Sequence, residues 1–355
     1  MRSLVGRSPV VRRLVGAATL DRPSDRRGAP YRVRICIVLT RTHVFDAADF
    51  HAGAVGGTQA AMVVLAEGFA ALGHEVTVAM VPRPVATHAG VRYCGVDDLR
   101  EDEPLDLLLL VRDWEPAVAR LRARRRLLLL TDVDHADRPT LPTALGWAER
   151  VLLMSAYQDR RLEHVLGARY HATDRAVVGL PVRTADYGAF AERRENLLLY
   201  CSVPERGLLH MRRILPAIRR AVPDARLLVT SDHTMWGERS RRGIYAPKMA
   251  RTEGVEWLGA VPRPELVALQ SRARLMTYPC HFVEGFCLAA AECMAAGAVP
   301  VTTRGYALET TVGTSGALID GWPRGFLYRR RFVRAAVALL RDDDAWLAAA
   351  RRARA

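Results

Sequence analysis

Residues 274–303 read RLMTYPCHFVEGFCLAAAECMAAGAVPVTT, and they give the strongest indication of the fold class. The apolar run at 274–279 has the length of a buried strand, and the segment after it leads into a run of good helix formers. A second apolar run at 299–303 predicts a further strand. A strand, a helix and a strand in this order form a parallel βαβ unit, so the stretch predicts an α/β fold.

Two carboxylates in this stretch, Glu284 and Glu292, are eight residues apart. With a helix expected over 285–296, they would lie on one helical face, roughly 12 Å apart along the axis. The free amides and the dipole at the start of that helix would hold an anion such as a diphosphate. Sugar hydroxyls need acceptors, so the pattern indicates a nucleotide-sugar site. A pair of solvated surface acids is the alternative interpretation of the spacing.

The same alternation of apolar runs and helix-like stretches continues along the chain. It predicts further strands at 33–39, 75–81, 106–111, 126–131, 151–154, 176–178, 197–200, 226–230 and 255–258. Helices are expected between most of them, at 58–72, 157–166, 208–221 and 264–273. Near-continuous apolar strands separated by helices are typical of parallel sheets covered on both faces.

A polar segment at 182–195 interrupts the pattern and is interpreted as a linker. We therefore expect two doubly wound, Rossmann-like α/β domains, at 33–185 and 186–355, facing across a cleft. The first 32 residues are expected to form a basic, disordered extension. The N-terminal domain would face the acceptor, and the C-terminal domain would bind the nucleotide sugar.

The formal net charge of +14 is concentrated at the two ends of the sequence. Residues 1–34 carry nine arginines and two aspartates, and residues 324–355 carry nine arginines and three aspartates. The body between them is almost neutral, which argues against a nucleic-acid-binding core. The basic ends could contact an anionic membrane surface, or they could be solvated tails.

The six cysteines form no CxxC pair and fall mostly in apolar runs, which predicts buried free thiols in a reducing compartment. The sequence contains no apolar run long enough for a spanning helix, and Arg12 and Arg13 interrupt the only candidate signal segment. We therefore expect a cytoplasmic protein, with peripheral membrane contact through the basic ends as an added option.

Two other loops join a strand to a helix and carry groups suited to phosphate. Gly56 and Gly57 precede the first long helix, where a backbone without side chains can approach a ligand closely, and Thr58 is a candidate N-cap. Arg206 follows the strand at 197–200 and could bind two phosphate oxygens with its guanidinium. A simple turn and a solvated arginine are the alternatives.

Taken in order, these motifs resemble the retaining nucleotide-sugar glycosyltransferases of family 4, the glycosyl transferases group 1, which have GT-B architecture. The resemblance covers roughly residues 33–345. Its landmarks are Gly56-Gly57-Thr58, Gly73 to Val78, Arg206-Gly207-Leu208, Tyr278-Pro279 through Glu292, Ala296-Gly297 with Pro300-Val301, and Gly305 with Ala307 to Thr310.

The resemblance implies roles for single residues. Glu284 would contact the hydroxyls of the donor sugar and take part in catalysis with Arg206, whereas Glu292 would accept the ribose hydroxyls. Arg206 and the amides of the loop would bind the diphosphate, with Gly56 and Gly57 supplying backbone near the β-phosphate and sugar. The loop residues concerned are Gly285, Phe286, Cys287 and Leu288.

The sequence departs from the family pattern at two places. The family usually has two basic residues at 202–206, but Ser202 stands first here, so a second cation would come from elsewhere, with Arg304 and Lys248 as candidates. A histidine often ends the strand that here runs into Thr131. Asp132, Asp134 and His135 are the weak acceptor-side candidates at that position.

The resemblance implies a metal-independent enzyme of the hexosyltransferase type, EC 2.4, that transfers a sugar from a nucleotide-diphosphate donor with retention. It needs no cofactor, because the nucleotide sugar is a co-substrate, and Asp132 and Asp134 are not interpreted as metal ligands. The acceptor would be a carbohydrate, a lipid or a small molecule. The alternatives are a non-catalytic nucleotide-sugar-binding protein, or a nucleotide-sugar hydrolase or epimerase on the same fold.

Overall fold

The structure is a computed structural model that describes residues 32–40, 42, 44–112, 114–133, 139–192, 194–233 and 242–355. Nearly all of the expected N-terminal extension lies outside these residues. So do Asp134 and His135, two of the three candidates on the acceptor side.

Contacts between Cα atoms divide the chain into two compact units. Unit 1 contains the described residues up to Ala48 together with Thr58–Pro181, and unit 2 contains Asp49–Gly57 together with Val182–Ala355. Unit 2 therefore includes a short segment from early in the sequence, and this segment carries both glycines of the Gly56-Gly57 motif. The expected domain boundary near residue 185 stays a prediction.

Unit 1 contains an eight-stranded sheet in the order β3-β4-β2-β1-β5-β6-β7-β8. Its strands are β1 Arg34–Val38, β2 Glu75–Met80, β3 Ala86–His88, β4 Val91–Gly95, β5 Leu105–Val111, β6 Ala123–Leu130, β7 Arg150–Leu153 and β8 Arg175–Val177. All neighbours are parallel except β3 and β4, which pair antiparallel. The leucine runs of β5 and β6 are buried, as expected for central strands covered on both faces.

The helices in the sequence from β1 to β8 are α1 Ala47–Ala52, α2 Gly57–Ala71, α3 Leu141–Trp147 and α4 Ala156–Leu166. The residues of α1 from Asp49 onward belong to unit 2. Residues 59–66 of α2 are buried without interruption, which its composition of Ala, Val, Met and Leu permits. The start of α4 is capped by Ser155, whose hydroxyl accepts a hydrogen bond from the Gln158 amide at 3.2 Å.

Unit 2 contains a six-stranded, fully parallel sheet in the order β11-β10-β9-β12-β13-β14. Its strands are β9 Leu197–Tyr200, β10 Arg226–Val229, β11 Val255–Trp257, β12 Leu275–Tyr278, β13 Val299–Thr303 and β14 Ala317–Ile319. The strand order reverses between β9 and β12. Ligands of such sheets bind beyond the carboxyl ends of the strands at the point of reversal.

The helices of unit 2 are α5 Met211–Ala221, α6 Arg242–Met249, α7 Arg263–Arg272, α8 Leu288–Ala296, α9 Leu308–Val312, α10 Phe326–Arg341 and α11 Asp343–Arg354. Helix α11 packs against α8 and β13, and its Trp346 is fully buried. The indole nitrogen of Trp346 donates to the Arg274 carbonyl at 2.9 Å, so the end of the sequence completes this core.

The predicted α/β class with two parallel sheets is confirmed, and every predicted strand appears within two or three residues of its expected bounds. Strands β3, β4 and β14 were not predicted. One prediction of detail is wrong: the helix expected from Gly285 begins at Leu288. Among the described residues, no helix has both the length and the apolar character needed to cross a bilayer.

Candidate active site

The candidate site lies where the strand order of unit 2 reverses, in the loops that follow β9 and β12. The loop after β9 forms a short 3-10 turn at Pro204–Arg206 and then reverses at Gly207. The carbonyl of Arg206 accepts a hydrogen bond from the backbone amide of His281, in the loop after β12, at 3.0 Å. The two loops are therefore joined through their backbones at the position of the predicted arginine.

Gly207 makes this close approach possible. Its φ is 155°, and a Cβ atom at this position would lie 2.2 Å from the Pro279 carbonyl oxygen. A backbone atom cannot move aside as the end of a long side chain can. A residue with a Cβ atom is therefore disfavoured at position 207, both by the collision with the Pro279 carbonyl and by the positive φ.

We expect Gly207→Ala to lower the free energy of unfolding by about 2–4 kcal/mol, since it adds overpacking to an unfavourable dihedral angle. Urea denaturation followed by circular dichroism measures this loss. Gly146→Ala is the matched control, because its Cβ would meet no atom within 4 Å and alanine is the better helix former inside α3. Equal stability of the two variants would contradict the steric argument.

Glu284 is the buried acid of the loop after β12, with 4% of its surface exposed. Its Oε1 accepts a hydrogen bond from Arg206 Nη1 at 2.9 Å and a short one from the Tyr278 hydroxyl. Ser202 donates to that hydroxyl oxygen at 3.2 Å. Arg206 and Glu284, predicted separately from two loops, are thus brought together as an ion pair.

The protonation states of Tyr278 and Arg206 follow from burial and from the charge of Glu284. Burial and the Glu284 carboxylate raise the pKa of the Tyr278 hydroxyl well above its ordinary value, so tyrosine stays protonated and donates. Burial would lower the pKa of Arg206, but the charge of Glu284 outweighs it and raises that pKa. The face of Phe282 lies 4.5 Å from the guanidinium carbon of Arg206 and adds a cation–π contact.

The expectation that Glu284 and Glu292 lie on one helical face is wrong. Cys287 has φ 71° and ψ 70°, in the left-handed region, and this residue precedes the first residue of α8. Glu284 is therefore in an irregular loop, which the next loop holds in place. The Ala307 amide donates to the Glu284 carbonyl at 3.1 Å, and the Thr311 hydroxyl donates to the Phe286 carbonyl at 2.5 Å.

The later start of α8 also changes which backbone amides can bind an anion. Helix α8 begins at Leu288, so of the predicted set Gly285, Phe286, Cys287 and Leu288 only the last belongs to the first turn. The leading amides of a helix have no partner within it and point outward from its start. Leu288 and Ala289 therefore carry the helix-start amides, and the three residues before them form the approach to that start.

Glu292 lies on α8 with 7% of its surface exposed, and each of its carboxylate oxygens accepts a hydrogen bond. Its Oε1 accepts from Arg263 Nη1 at 2.5 Å and its Oε2 from Gln270 Nε2 at 3.3 Å. Arg263 also reaches Asp186 Oδ2 at 3.2 Å, and Gln270 accepts from the Tyr187 hydroxyl at 2.8 Å. Sequence analysis missed these four partners, which lie between 22 and 106 residues from Glu292 and belong to no recognisable motif.

Gly57 lies next to the start of α8 in unit 2. A Cβ on Gly57 would lie 3.8 Å from Leu288 Cδ2, at the start of α8. The preceding residue Gly56 is buried. The segment is anchored by the Gly53 carbonyl, which accepts from the Arg263 amide at 3.0 Å. Helix α2 begins at Gly57, so the prediction that Thr58 is its N-cap is wrong.

Asp132, the described acceptor-side candidate, lies in unit 1 after β6. Its carboxylate pairs with Arg112 Nε at 2.9 Å, and its carbonyl accepts from Gln158 Nε2 at 2.9 Å. Arg112 also donates to the Thr58 hydroxyl at 3.1 Å. Within the described ranges, no cluster of three or more His, Cys, Asp or Glu residues could hold a metal ion.

The two candidates for a second phosphate-binding cation differ in their surroundings. Arg304 forms an ion pair with Asp320 at 2.8 Å, and Lys248 is exposed on α6. Ser202 is buried against Tyr278. Arg206 is therefore the cation that the loops at the strand-order reversal place beside Glu284.

The part of the chain that contains this candidate site matches a known protein family. Residues 194–342 match the family model described as Glycosyl transferases group 1. Over these residues the chain is similar to the group 1 glycosyltransferases. The expected resemblance and the expected enzyme class, a glycosyltransferase, are confirmed, and Arg206, Glu284 and Glu292 all lie in the matched region. None of the curated proteins compared with the chain matches it.

Solved structures of GT-B glycosyltransferases share the fold of this glycosyltransferase. Sucrose-phosphate synthase from Thermosynechococcus elongatus is 17% identical with a TM-score of 0.66, over 91% of this chain and 93% of that one. The catalytic domain of starch synthase IV from Arabidopsis thaliana, bound to ADP and acarbose, is 12% identical with a TM-score of 0.62, over 92% and 96%. HepE from Anabaena, in complex with UDP-glucose, is 13% identical with a TM-score of 0.60, over 91% and 98%.

Proposed function

We propose that this glycosyltransferase transfers a sugar from a nucleoside-diphosphate donor to an acceptor with retention of the anomeric configuration and without a metal ion. The observation that carries the proposal is the Arg206–Glu284 ion pair, at 2.9 Å, where the sheet of unit 2 reverses its strand order. A cation for phosphate and an acceptor for sugar hydroxyls are adjacent there. This pairing matches the two ends of a nucleotide sugar.

The hydrogen bonds of Glu284 leave one carboxylate oxygen for the donor sugar. Both of its hydrogen bonds reach Oε1, and no donor among the described residues reaches Oε2. A sugar hydroxyl could therefore donate to Oε2 without displacing Arg206. Tyr278 and Arg206 hold the carboxylate in place through two hydrogen bonds, so its orientation is set before the donor binds.

The diphosphate would be bound by Arg206 and by the first amides of α8. A guanidinium has five donors, and the contact with Glu284 uses one nitrogen, so others can reach phosphate oxygens. As the glycosidic bond breaks, negative charge grows on the leaving phosphate. Fixed donors aimed at that charge stabilise the transition state more than the ground state, so no metal ion is required.

Glu292 is proposed to accept the ribose hydroxyls. Burial would lower the pKa of Arg263, but the Glu292 charge raises that pKa, so the arginine stays charged beside the carboxylate. A carboxylate offers about four acceptor positions, so two protein donors leave capacity for a ribose. The neighbours bound to ADP and UDP-glucose support a nucleoside diphosphate as the leaving group.

A non-catalytic nucleotide-sugar-binding protein is the second candidate. The observation that favours it is Ser202, buried against Tyr278 where the family usually places a basic residue. A site with one cation would stabilise the leaving group less. The acceptor class (carbohydrate, lipid or small molecule) and the cytoplasmic location remain predictions.

We expect one nucleoside-diphosphate sugar in a panel of UDP, ADP and GDP sugars to raise the melting temperature, because a ligand that binds only the folded state stabilises it. That donor is then incubated with an acceptor panel, and the product is analysed by NMR. The expected product keeps the donor's anomeric configuration, and EDTA leaves the rate unchanged.

Each result other than the expected one points to a specific alternative. An inverted product or a rate abolished by EDTA would contradict retention or metal independence. Free sugar or an epimer would identify the hydrolase or epimerase alternative. Donor binding without turnover across the acceptor panel would support the non-catalytic candidate.

A further inference from the structure

Three large apolar side chains are exposed within six residues of unit 2. Trp322, Phe326 and Leu327 expose 53%, 63% and 62% of their surfaces. They lie in the loop after β14 and in the first turn of α10, a region we call the apolar tip. The tip is followed by a helix whose own apolar face is already used, since Tyr328, Phe332, Ala336 and Leu340 are buried in the core.

The tip is held in a defined shape. The Gly325 amide donates to the Trp322 carbonyl at 2.7 Å, which closes a turn, and Pro323 is buried beneath it. The Tyr328 hydroxyl lies 2.8 Å from the Thr303 hydroxyl at the end of β13. The indole of Trp322 packs edge-on against His281, with ring centroids 5.9 Å apart. The exposed apolar groups are therefore presented by a fixed loop.

Positive charge surrounds the tip, and Asp320, the acid just before it in the sequence, is paired with Arg304. Residues 321–341 contain six arginines and no aspartate or glutamate. The exposed members of this group in and beside the tip are Arg324, Arg330, Arg331 and Arg334. Helix α5, which packs on α10, adds exposed Arg212 and Arg213 and has no acid.

The pKa of His210 supports this clustering. Burial, His281 and then Arg324, Arg329 and Arg213 lower the pKa of His210 to about 4. Arginines from α5, from the tip and from α10 therefore act on one side chain. The arginines form one basic surface around the apolar tip.

We infer that this surface docks on an anionic lipid bilayer, with Trp322, Phe326 and Leu327 entering the interface and the arginines contacting headgroups. Aromatic and aliphatic side chains next to arginine favour the boundary between headgroups and acyl chains. Basic residues near an anionic leaflet add attraction that falls off within a Debye length. Only the tip inserts, because the apolar face of α10 packs in the protein core.

A protein partner fits the observations less well. Stable protein interfaces bury about 800 Å² on each partner and exclude charge from their centre. Three apolar side chains ringed by arginine offer much less than that. The inference uses the tip and its charges alone, so it stands independently of the proposed glycosyl transfer.

The test is co-flotation of the full-length protein with vesicles of phosphatidylcholine alone or of equimolar phosphatidylcholine and phosphatidylglycerol. We expect binding only to the anionic vesicles. The triple variant Trp322→Ser/Phe326→Ser/Leu327→Ser should bind at least about tenfold more weakly, since its apolar groups no longer leave water. The triple variant Arg324→Gln/Arg330→Gln/Arg334→Gln should lose about a hundredfold.

Val85→Ser is the matched control, because Val85 is 54% exposed in unit 1 and should not affect binding. Trp322→Phe should keep binding while it removes most quenching of the protein's fluorescence by brominated lipid. All variants retain the arginines of residues 1–31. The inference is overturned if the wild type binds neither vesicle or both equally, or if either triple variant binds like the wild type. The inference is also overturned if, without vesicles, the wild type is oligomeric and the serine variant is monomeric. The tip would then be a self-association surface.

Discussion

Glu284→Gln is expected to reduce turnover by about 10²–10³-fold, the loss typical when one fixed electrostatic contact to a transition state is removed. The substitution keeps the size of the side chain and an acceptor for Tyr278, but it removes the negative charge beside Arg206. The variant should melt close to the wild type because Arg206 is partly exposed to water. Initial rates with the identified donor measure the loss.

Donor affinity, measured by calorimetry, separates binding from chemistry in this variant. A loss mainly in kcat indicates a contact made in the transition state, whereas a loss mainly in KM indicates uniform binding. Glu163→Gln is the matched control, since Glu163 is an exposed acid in α4 of unit 1 and should leave turnover unchanged. Wild-type turnover of Glu284→Gln would remove Glu284 from the mechanism.

Arg263→Met is expected to lower the free energy of unfolding by about 3–5 kcal/mol, because it leaves the Glu292 carboxylate buried without its charged partner. Glu292 is 7% exposed, so water cannot replace the lost hydrogen bond easily. Asp186 loses the same arginine. Urea denaturation followed by circular dichroism gives the difference in free energy.

The double variant Arg263→Met/Glu292→Met tests the cause. If an unpaired charge is responsible, removing both partners should cost much less than the arginine substitution alone. Arg304→Met is the control, since the Arg304–Asp320 pair is 46% and 64% exposed and should contribute about 0–1 kcal/mol. If Arg263→Met cost no more than Arg304→Met, Glu292 would not depend on its arginine.

The fold was largely predictable because its central strands are buried on both faces. Runs such as the leucines of β5 and β6 have few other interpretations when helices separate them. The edge strand β3 was missed for the opposite reason. Strand β3 has three residues, all partly or fully exposed, so no apolar run signals it.

The site was predictable as a position in the fold but not as a set of contacts. Arg206 and Glu284 follow strands that neighbour each other where the order reverses, and their proximity follows from that topology. The start of α8 could not be predicted, because a cysteine in the left-handed region is uncommon and composition favours helix there. The partners of Glu292 come from α7 and the segment before β9, and only tertiary structure unites them.

The membership of residues 49–57 in unit 2 has a consequence for synthesis on the ribosome. Gly53 bonds to Arg263, which is translated about 210 residues later. At about 5–20 residues per second, this segment waits roughly 10–40 s for its partner. During that time Phe50, 1% exposed in the finished protein, has no core to enter and is a ready target for chaperones. Unit 2 is thus the last part of the nascent chain to reach its native state.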